Sequence, residues 1–279
     1  MKKLLLLCCL CVAAFFLYAN KSTEDYEAEI EIPLLHSQNA ILLDESGQSV
    51  YEKNADAIIY PASLTKIMTA IVAIEESDDL QKHTMIEAST IATFTAQNAS
   101  MAGFKAGDFV TVEDLLYGAI IPSGADATAT LANVIAGSEK DFVSLMNDKA
   151  HELGMNDTHF VNVSGLHDDA HVSSVRDISK LFRYAIENPI FYKILTTRSY
   201  ITAVPGELTM SSTLFTKMAG VEGAILGGKT GYTPEAGLCL ASLLEKNGKY
   251  YLFVTTNATG NVRSEPFHVE DALSVHAAL

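Results

Sequence analysis

A six-residue stretch decides the fold of this chain: Pro61-Ala62-Ser63-Leu64-Thr65-Lys66. The apolar run that follows, residues 67–74, repeats at helical spacing, which predicts a helix with one face buried in a core. Pro61 suits the first turn of such a helix because it has no N–H to leave unpaired. Ser63 and Lys66 stand three residues apart, so the sequence predicts a hydroxyl and an amine on one face of a buried helix.

Strand patterns lie towards both ends of the chain. Residues 40–44 and 49–52 predict a hairpin around a glycine-containing turn. Residues 224–230, 238–244 and 250–256 predict three later strands, the last two joined by a turn at residues 245–249. The expected fold class is α+β: early and late strands join one antiparallel sheet, flanked by helices, with an all-helical lobe.

Helices fill the middle of the sequence. Three helix starts carry a Ser or Thr followed three residues later by Asp, the pattern of a capping box; the pairs are Thr111 with Asp114, Ser138 with Asp141, and Ser174 with Asp177. Two more helices are expected from about residue 126 to 135 and from about residue 266. Residues 77–110 contain polar turns, which favour small helices and loops rather than sheet.

Two further motifs follow the first in the chain. The helix that begins at Thr111 leads into a tight turn, residues 121–126, from which the side chain of Ser123 can project. The first late strand leads into Lys229-Thr230-Gly231. Each motif also has an ordinary structural explanation: a helix N-terminus, a turn serine and a solvated lysine at a strand end. Their joint order and spacing favour a catalytic interpretation.

The three motifs, Ser63-x-x-Lys66, Ser123-Gly124-Ala125 and Lys229-Thr230-Gly231, are similar to the S-x-x-K, S-D-N and K-T-G motifs of β-lactamases and penicillin-binding proteins. From Ala40 to the C-terminus the chain resembles the serine D-Ala-D-Ala carboxypeptidases among the low-molecular-weight penicillin-binding proteins. Weaker similarities lie at residues 51–55, 111–116 and 236–239. The resemblance implies a β-lactamase/transpeptidase-like fold and removal of the C-terminal D-Ala from peptidoglycan stem peptides, with penicillin as an acylating inhibitor.

The chemistry of the first motif follows from its residue types. A serine hydroxyl is a poor nucleophile until a neighbouring base removes its proton. A lysine can act as that base when burial or a second cation lowers its pKa. Lys66 is therefore the expected base for the nucleophile Ser63. The resemblance implies that Lys229 supplies the second charge, and that Ser123 passes a proton to the leaving amine.

The remaining site residues are implied by the resemblance. Lys229, Thr230 and Gly231 are expected to bind the substrate, with Lys229 attracting its terminal carboxylate. The backbone N–H groups of Ser63 and Tyr232 are expected to form the oxyanion hole. Neither a metal nor a cofactor is implied.

One position departs from the family pattern. Ala125 stands where the family usually has an asparagine that contacts the substrate and the active-site lysine. Loss of such a hydrogen bond costs about 1–3 kcal/mol, or roughly 5- to 150-fold in activity. Asp126 follows directly, but it is one residue out of register and is not expected to compensate.

Two other functions remain open. A β-lactamase of this fold usually takes its deacylation base from a glutamate in a loop after the second motif; residues 158–171 contain aspartates but no glutamate. A catalytically weak, penicillin-binding module associated with the wall is the second alternative, and Ala125 is its only support.

Two groups of reactive side chains favour structural interpretations. The segment His167-Asp168-Asp169-Ala170-His171 contains residue types that bind zinc, but hydrogen bonding within the loop is the expectation. Cys239 lies in an apolar strand and is expected to be a small core residue.

The N-terminus predicts export. Residues 1–20 combine two lysines with an apolar run, which is typical of a signal peptide or an N-terminal anchor. Residues 21–37 are acidic and aperiodic, which indicates a linker, and residues 38–279 are expected to form the catalytic domain. The protein is therefore expected on the extracellular side of the bacterial membrane, secreted or attached by its N-terminal segment.

The charge and cysteine content agree with that location. Without residues 1–20, which carry Lys2 and Lys3 as their only charges, 17 basic residues would face 34 acidic ones, so a nucleic-acid partner is not expected. Cys239 is the only cysteine beyond the leader, so no intramolecular disulfide is expected.

Overall fold

The computed structural model describes residues 30–202, 207–218 and 223–279. Residues 32–279 form one compact unit. The expected leader, residues 1–20, lies outside the described residues. The end of the expected linker packs on the compact unit: Leu35 is buried, and the backbone N–H groups of His36 and Ser37 donate to the carboxylate of Asp271 at 2.8 Å.

The described residues contain nine strands: β1 (Asn39–Leu43), β2 (Ser49–Lys53), β3 (His83–Met85), β4 (Phe109–Thr111), β5 (Ser199–Ile201), β6 (Thr209–Ser211), β7 (Ile225–Thr233), β8 (Gly237–Lys246) and β9 (Lys249–Ala258). Their helices are α1 (Thr65–Glu76), α2 (Ala88–Ala96), α3 (Val112–Ile120), α4 (Ala125–Ala136), α5 (Glu139–Glu152), α6 (Val175–Glu187), α7 (Pro189–Leu195), α8 (Thr213–Lys217) and α9 (Phe267–Ala278). A 3₁₀ turn, Ala62–Leu64, precedes α1. No helix among the described residues is both long and apolar enough to cross a membrane.

The main sheet joins early and late strands, as the sequence predicts. Its order is β2-β1-β9-β8-β7, and every neighbouring pair is antiparallel. Alternate residues of β1 enter different cores because side chains alternate across a strand. Leu42 packs with residues of α8 and α9, whereas Ile41 belongs to the larger core that contains residues of α1 and α6. The α+β prediction is confirmed.

Helix α1 is more deeply buried than its pattern predicts. Every residue from Thr65 to Ile74 is buried, not only one apolar face. The helix contacts α3, α4, α5 and α6, so it lies at the centre of the helical lobe. A helix enclosed on all sides holds its first turn rigidly, and that turn carries Lys66.

Other local predictions need correction. Residues 77–110 were expected to lack sheet, but β3 and β4 pair there, with Thr84 opposite Val110. Strands of three residues are too short to show a period of two. The turn predicted at residues 245–249 is also longer than the observed one. Strand β8 extends to Lys246 and β9 begins at Lys249, so the turn contains only Asn247 and Gly248. Both of its residues have positive φ, 57° and 78°, as a tight hairpin of this sequence requires.

Candidate active site

The proposed nucleophile lies in the 3₁₀ turn rather than in the α-helix. Side chains three residues apart eclipse one another in such a turn. Ser63 Oγ lies 3.0 Å from Lys66 Nζ, within hydrogen-bonding distance. The preceding residue, Ala62, has φ +46°, a left-handed conformation that is costly for alanine. The structure therefore holds this turn in a strained shape that aligns the two side chains.

Burial makes Lys66 a base. The side chain is 2% exposed, and desolvation lowers its pKa from 10.5 to about 7, against an opposing effect of the Asp126 charge. Its Nζ also donates to the backbone oxygen of Ser164 at 2.5 Å. About half of the Lys66 side chains are then free amines near neutral pH, with a lone pair able to take the proton of Ser63.

A second serine and lysine form a parallel pair. Lys229 Nζ donates to Ser123 Oγ at 2.8 Å and to the backbone oxygen of Thr230 at 2.7 Å. Burial, and then the charge of Lys66, hold the pKa of Lys229 well below its ordinary value. Lys229 is 1% exposed, and its Nζ is directed at Ser123. Ser123 itself has φ +66°, so both motif turns hold a residue in the left-handed region.

The predicted residues meet in one cleft with a volume of about 220 Å³. Ser63, Ser123, Thr230, Gly231 and Tyr232 line it, whereas Lys66 and Lys229 lie behind that surface. One wall is β7, the edge strand of the main sheet, and no other strand of the described residues pairs with its outer side.

Gly231 is required by close packing. A Cβ atom at this position would lie 3.1 Å from the backbone nitrogen of Ser63, and 3.3 Å from the Cβ of Ala62. The strand therefore approaches the nucleophile turn more closely than most side chains allow. This approach brings the backbone of Ser63 and the start of Tyr232 to the same part of the cleft.

Sequence reasoning missed the loop that supports Lys66. Asn162 Oδ1 accepts the backbone N–H groups of Ser164 and Gly165, which folds the chain into a turn that presents the Ser164 oxygen to Lys66. Gly165 has φ +78°, and a Cβ there would lie 1.8 Å from the backbone oxygen of Ala62. The signal in the sequence is the Asn-x-x-Gly turn at residues 162–165.

His171 fastens the same loop to α1. Its Nδ1 accepts the backbone N–H of Val161, so Nε2 carries the proton and donates to Thr65 Oγ1 at 2.8 Å. Burial lowers the pKa of His171 to about 4, which keeps the imidazole neutral. These contacts agree with the loop hydrogen bonding expected for this segment. The described residues contain no group of three side chains arranged to hold a metal.

The chain is similar to known proteins in both sequence and fold. The family model described as D-alanyl-D-alanine carboxypeptidase matches residues 26–260, most of the chain. The chain belongs to the D-alanyl-D-alanine carboxypeptidase family. Its fold matches the crystal structure of the Streptomyces K15 DD-transpeptidase with a TM-score of 0.82 and 29% sequence identity, over 89% of this chain and 98% of that one. The expected transpeptidase-like fold is confirmed.

Two curated carboxypeptidases show how much of this chain and of its relatives can be aligned. The chain is 35% identical over 217 residues to the D-alanyl-D-alanine carboxypeptidase of Streptomyces strain K15, which covers 73% of this chain and 74% of the relative. It is 31% identical over 228 residues to carboxypeptidase DacF of Bacillus subtilis, which covers 80% of this chain but 58% of the relative. The chain therefore spans little more than half the length of some of its curated relatives.

The position where this carboxypeptidase family usually has asparagine is apolar here. Ala125 is 1% exposed and packs with Phe94 and Ala129. The next residue, Asp126, points elsewhere: its Oδ1 accepts the backbone N–H of Ala102 at 2.7 Å, and its buried Oδ2 has no hydrogen-bond partner among the residues that the structure describes. Asp126 does not replace the missing amide contact, but its charge raises the pKa of Lys66.

Cys239 is not suited to act as a nucleophile or a metal ligand. It lies in β8 with no exposed surface, and burial raises the pKa of its thiol to about 12. The thiolate that a nucleophile or metal ligand requires is therefore absent at neutral pH. Cys239 is a core residue, as the sequence indicates.

Proposed function

We propose that the protein is a serine D,D-carboxypeptidase that removes the C-terminal D-Ala from peptidoglycan stem peptides, and that penicillin acylates it. The observation that carries this proposal is the pair of Ser63 Oγ and Lys66 Nζ, 3.0 Å apart at the cleft, with the Lys66 pKa lowered to about 7. Family membership supports the substrate class.

Acylation begins at the first pair. The free amine of Lys66 takes the hydroxyl proton of Ser63, and Ser63 Oγ attacks the carbonyl carbon of the scissile peptide bond. Negative charge then develops on the carbonyl oxygen. We assign the stabilisation of that charge to the backbone N–H groups of Ser63 and Tyr232, and the close approach of Gly231 to the Ser63 nitrogen supports this assignment.

The leaving amine needs a proton. Ser123 Oγ accepts a hydrogen bond from Lys229, so its own hydroxyl proton is free to point at the leaving nitrogen. Collapse of the tetrahedral intermediate breaks the C–N bond, releases D-Ala and leaves an ester on Ser63. As Ser123 protonates the leaving nitrogen, the proton that Lys66 took from Ser63 passes to Ser123, so Lys66 becomes a free amine again. Water then attacks the ester with Lys66 as the base, that proton returns to Ser63 Oγ as the acyl C–O bond breaks, and the shortened peptide departs.

Transfer to an amine is the second candidate function. The solved structure with a TM-score of 0.82 is named a DD-transpeptidase. The two reactions share the acyl-enzyme and differ in whether water or an amine resolves it. β-Lactamase and weak binding-module activities remain the alternatives that the assay must separate.

One assay separates these functions. The full-length chain is incubated with a pentapeptide ending in D-Ala-D-Ala, with and without an amino-acid acceptor, and in parallel with a fluorescent penicillin. Release of D-Ala with persistent labelling supports the carboxypeptidase, and a new peptide carrying the acceptor supports the transpeptidase. Labelling without release indicates the binding module, and rapid drug hydrolysis indicates a β-lactamase.

Matched variants complete the design. Ser63→Ala should abolish both release and labelling, because it removes the only proposed nucleophile. Ser89→Ala changes an exposed serine on α2 and should leave both unchanged. Labelling or release that survives in Ser63→Ala would contradict the mechanism.

The location proposed for this activity is outside the cytoplasm, where stem peptides occur. Residues 1–20 would direct export and either be removed or remain as an anchor, with the catalytic domain following the linker. Detection of the chain in membrane and culture fractions, before and after deletion of residues 4–19, tests this part of the proposal.

A further inference from the structure

A groove separate from the catalytic cleft lies between α6 and the turn that joins β1 to β2. It has two adjoining parts, with volumes of about 490 and 220 Å³, and both parts are lined by Arg183 and Glu187. The first part is also lined by Ile41 of β1. Strand β1 lies three strands away from β7, the wall of the cleft, or about 14 Å across the sheet. No residue lines both this α6 groove and the cleft.

The α6 groove is elongated. Its lining residues on α6 extend from Arg176 to Glu187, a span of about 16 Å along the helix axis. The opposite wall is the β1–β2 turn with Gly47 and Gln48. Beyond Glu187 the groove continues past α7 to the start of β9. A chain of several units fits this shape better than a single small molecule does.

Two tyrosines line the second part of the groove. Tyr192 belongs to α7, and Tyr250 lies at the start of β9. They are 38% and 47% exposed, and they are the only exposed tyrosines in the described part of the chain. The apolar side chains of Leu243 and Leu252 line the same part. Exposed aromatic rings beside an apolar surface offer contact area to the C–H faces of a ligand, while each hydroxyl stays available for hydrogen bonds.

Arg183 lies where the two parts meet and has free donors. Its guanidinium packs against Gly47: a Cβ atom added there would lie 2.1 Å from Nη1 and 2.4 Å from Cζ. No hydrogen bond or ion pair joins Arg183 to another described residue. The other two cations that line the groove, Arg176 and Lys180, are each paired with carboxylates. Arg183 therefore offers a planar set of N–H donors to a ligand.

The charges of the groove favour an uncharged ligand. The carboxylates of Asp44, Glu45 and Glu187 line it together with the free charge of Arg183. A polyanion would be repelled by the carboxylates, and a polycation by Arg183. A ligand with hydroxyl and amide groups can accept hydrogen bonds from the guanidinium and donate to the carboxylates. Carbohydrates combine such polar edges with apolar C–H faces, which suit the two tyrosines.

We propose that the α6 groove binds a strand of N-acetylated amino sugars, with Arg183 as a hydrogen-bond donor and with Tyr192 and Tyr250 against the sugar faces. The choice of sugar rests on the proposed carboxypeptidase function, because stem peptides are attached to strands of this kind. The groove lies outside the cleft, so it takes no part in cleavage. Binding there keeps the enzyme on the polymer that carries its substrate and raises the local concentration of stem peptides.

The binding test uses a tetramer of N-acetylglucosamine, which carries neither peptide nor charge. Titration calorimetry with the full-length wild type should show binding that changes little when the salt concentration is raised, because the ligand is neutral. Arg183→Gln should weaken binding about 10-fold, the effect of losing a hydrogen bond to a charged group. Tyr250→Ser should weaken it about 5-fold. Gln48→Trp should block the groove by its bulk while keeping both of these side chains.

Two exposed residues outside the groove give matched controls. Arg263→Gln removes an exposed guanidinium, and Phe109→Ser removes an exposed aromatic ring. Both variants should bind the tetramer as the wild type does. The melting temperature of each variant identifies any loss of binding that comes from unfolding.

The activity test compares a soluble pentapeptide with intact wall polymer. The groove variants should release D-Ala from the pentapeptide with the wild-type kcat/KM, but from the polymer several-fold more slowly. This inference would be overturned, with the carboxypeptidase function intact, if the wild type failed to bind the tetramer or bound polyphosphate instead, or if the groove variants matched the wild type in binding or on the polymer. If the wild type bound the tetramer but released no D-Ala from either substrate, the proposed function would fail while the sugar site remained.

Discussion

The charge of Asp126 should set the pH at which Ser63 becomes reactive. With a Lys66 pKa of about 7, about half of this side chain is free amine at pH 7, compared with roughly one in 3,000 for a lysine at 10.5. Besides Asp126, the charged or titratable groups that face Lys66 are Lys229 and His171, and His171 is neutral. Asp126 is the group among them that favours the protonated amine.

Asp126→Asn removes this charge and keeps an oxygen for the N–H of Ala102. At an effective dielectric constant of about 20, two unit charges interact by about 1–2 kcal/mol over roughly 8–15 Å, or by about one pKa unit. Burial raises the pKa of Asp126, against backbone hydrogen bonds that lower it. We therefore expect the Lys66 pKa to fall by about one unit in the variant.

The measurement is the rate of acylation by a fluorescent penicillin in single-turnover conditions, followed against pH. In the wild type the rate should rise with pH to about 7 and then level off, because only the free amine is a base. In Asp126→Asn the rising limb should move about one pH unit lower. Asp169→Asn is the control, since its side chain is 95% exposed and its charge is screened by solvent.

If the rising part of the pH–rate profile stayed in place in Asp126→Asn, or moved to higher pH, the proposed effect of the Asp126 charge on the Lys66 pKa would be refuted. If the acylation rate of the wild type rose only near pH 10, the claim that burial makes Lys66 a base near neutral pH would be refuted. Thermal unfolding of both variants shows whether the fold survives the substitution.

Two further predictions follow from the loop that supports Lys66. Gly165→Ala should destabilise the protein and reduce acylation strongly, because a Cβ would lie 1.8 Å from the Ala62 oxygen at φ +78°; wild-type labelling and melting would contradict this packing. His171 should make the protein less stable in acid. The pKa of His171 is about 4 in the folded state and 6.5 in the unfolded state, so the unfolded state binds the proton first as the pH falls. The free energy of unfolding should therefore decrease between pH 6.5 and pH 4, by about 3 kcal/mol in total. Denaturant unfolding of His171→Gln should show a smaller loss over this range than the wild type, and equal losses would exclude His171 as the cause.

The sequence predicted the elements whose signals are local and repeated. Helix α1 shows its apolar period, and Thr111 with Asp114 forms the expected capping box at the start of α3. The strands of the main sheet are long enough to show alternation. The order of motifs was sufficient to place Ser63, Ser123 and Gly231 in one cleft, because each motif ends or begins an element whose position the fold fixes.

The remaining features depend on contacts between distant segments. Asn162 supports Lys66 through a carbonyl oxygen nearly a hundred residues from it, and a carbonyl carries no sequence signal. The strands β3 and β4 are too short to be periodic.

The central claim is that Ser63, activated by Lys66, forms the covalent acyl-enzyme. The most direct measurement is the intact mass of the full-length chain after reaction with penicillin, followed by proteolysis to locate the adduct. We expect one penicillin per chain on the peptide that contains Ser63, and none in Ser63→Ala. An adduct on any other residue, or one that persists in Ser63→Ala, would contradict it.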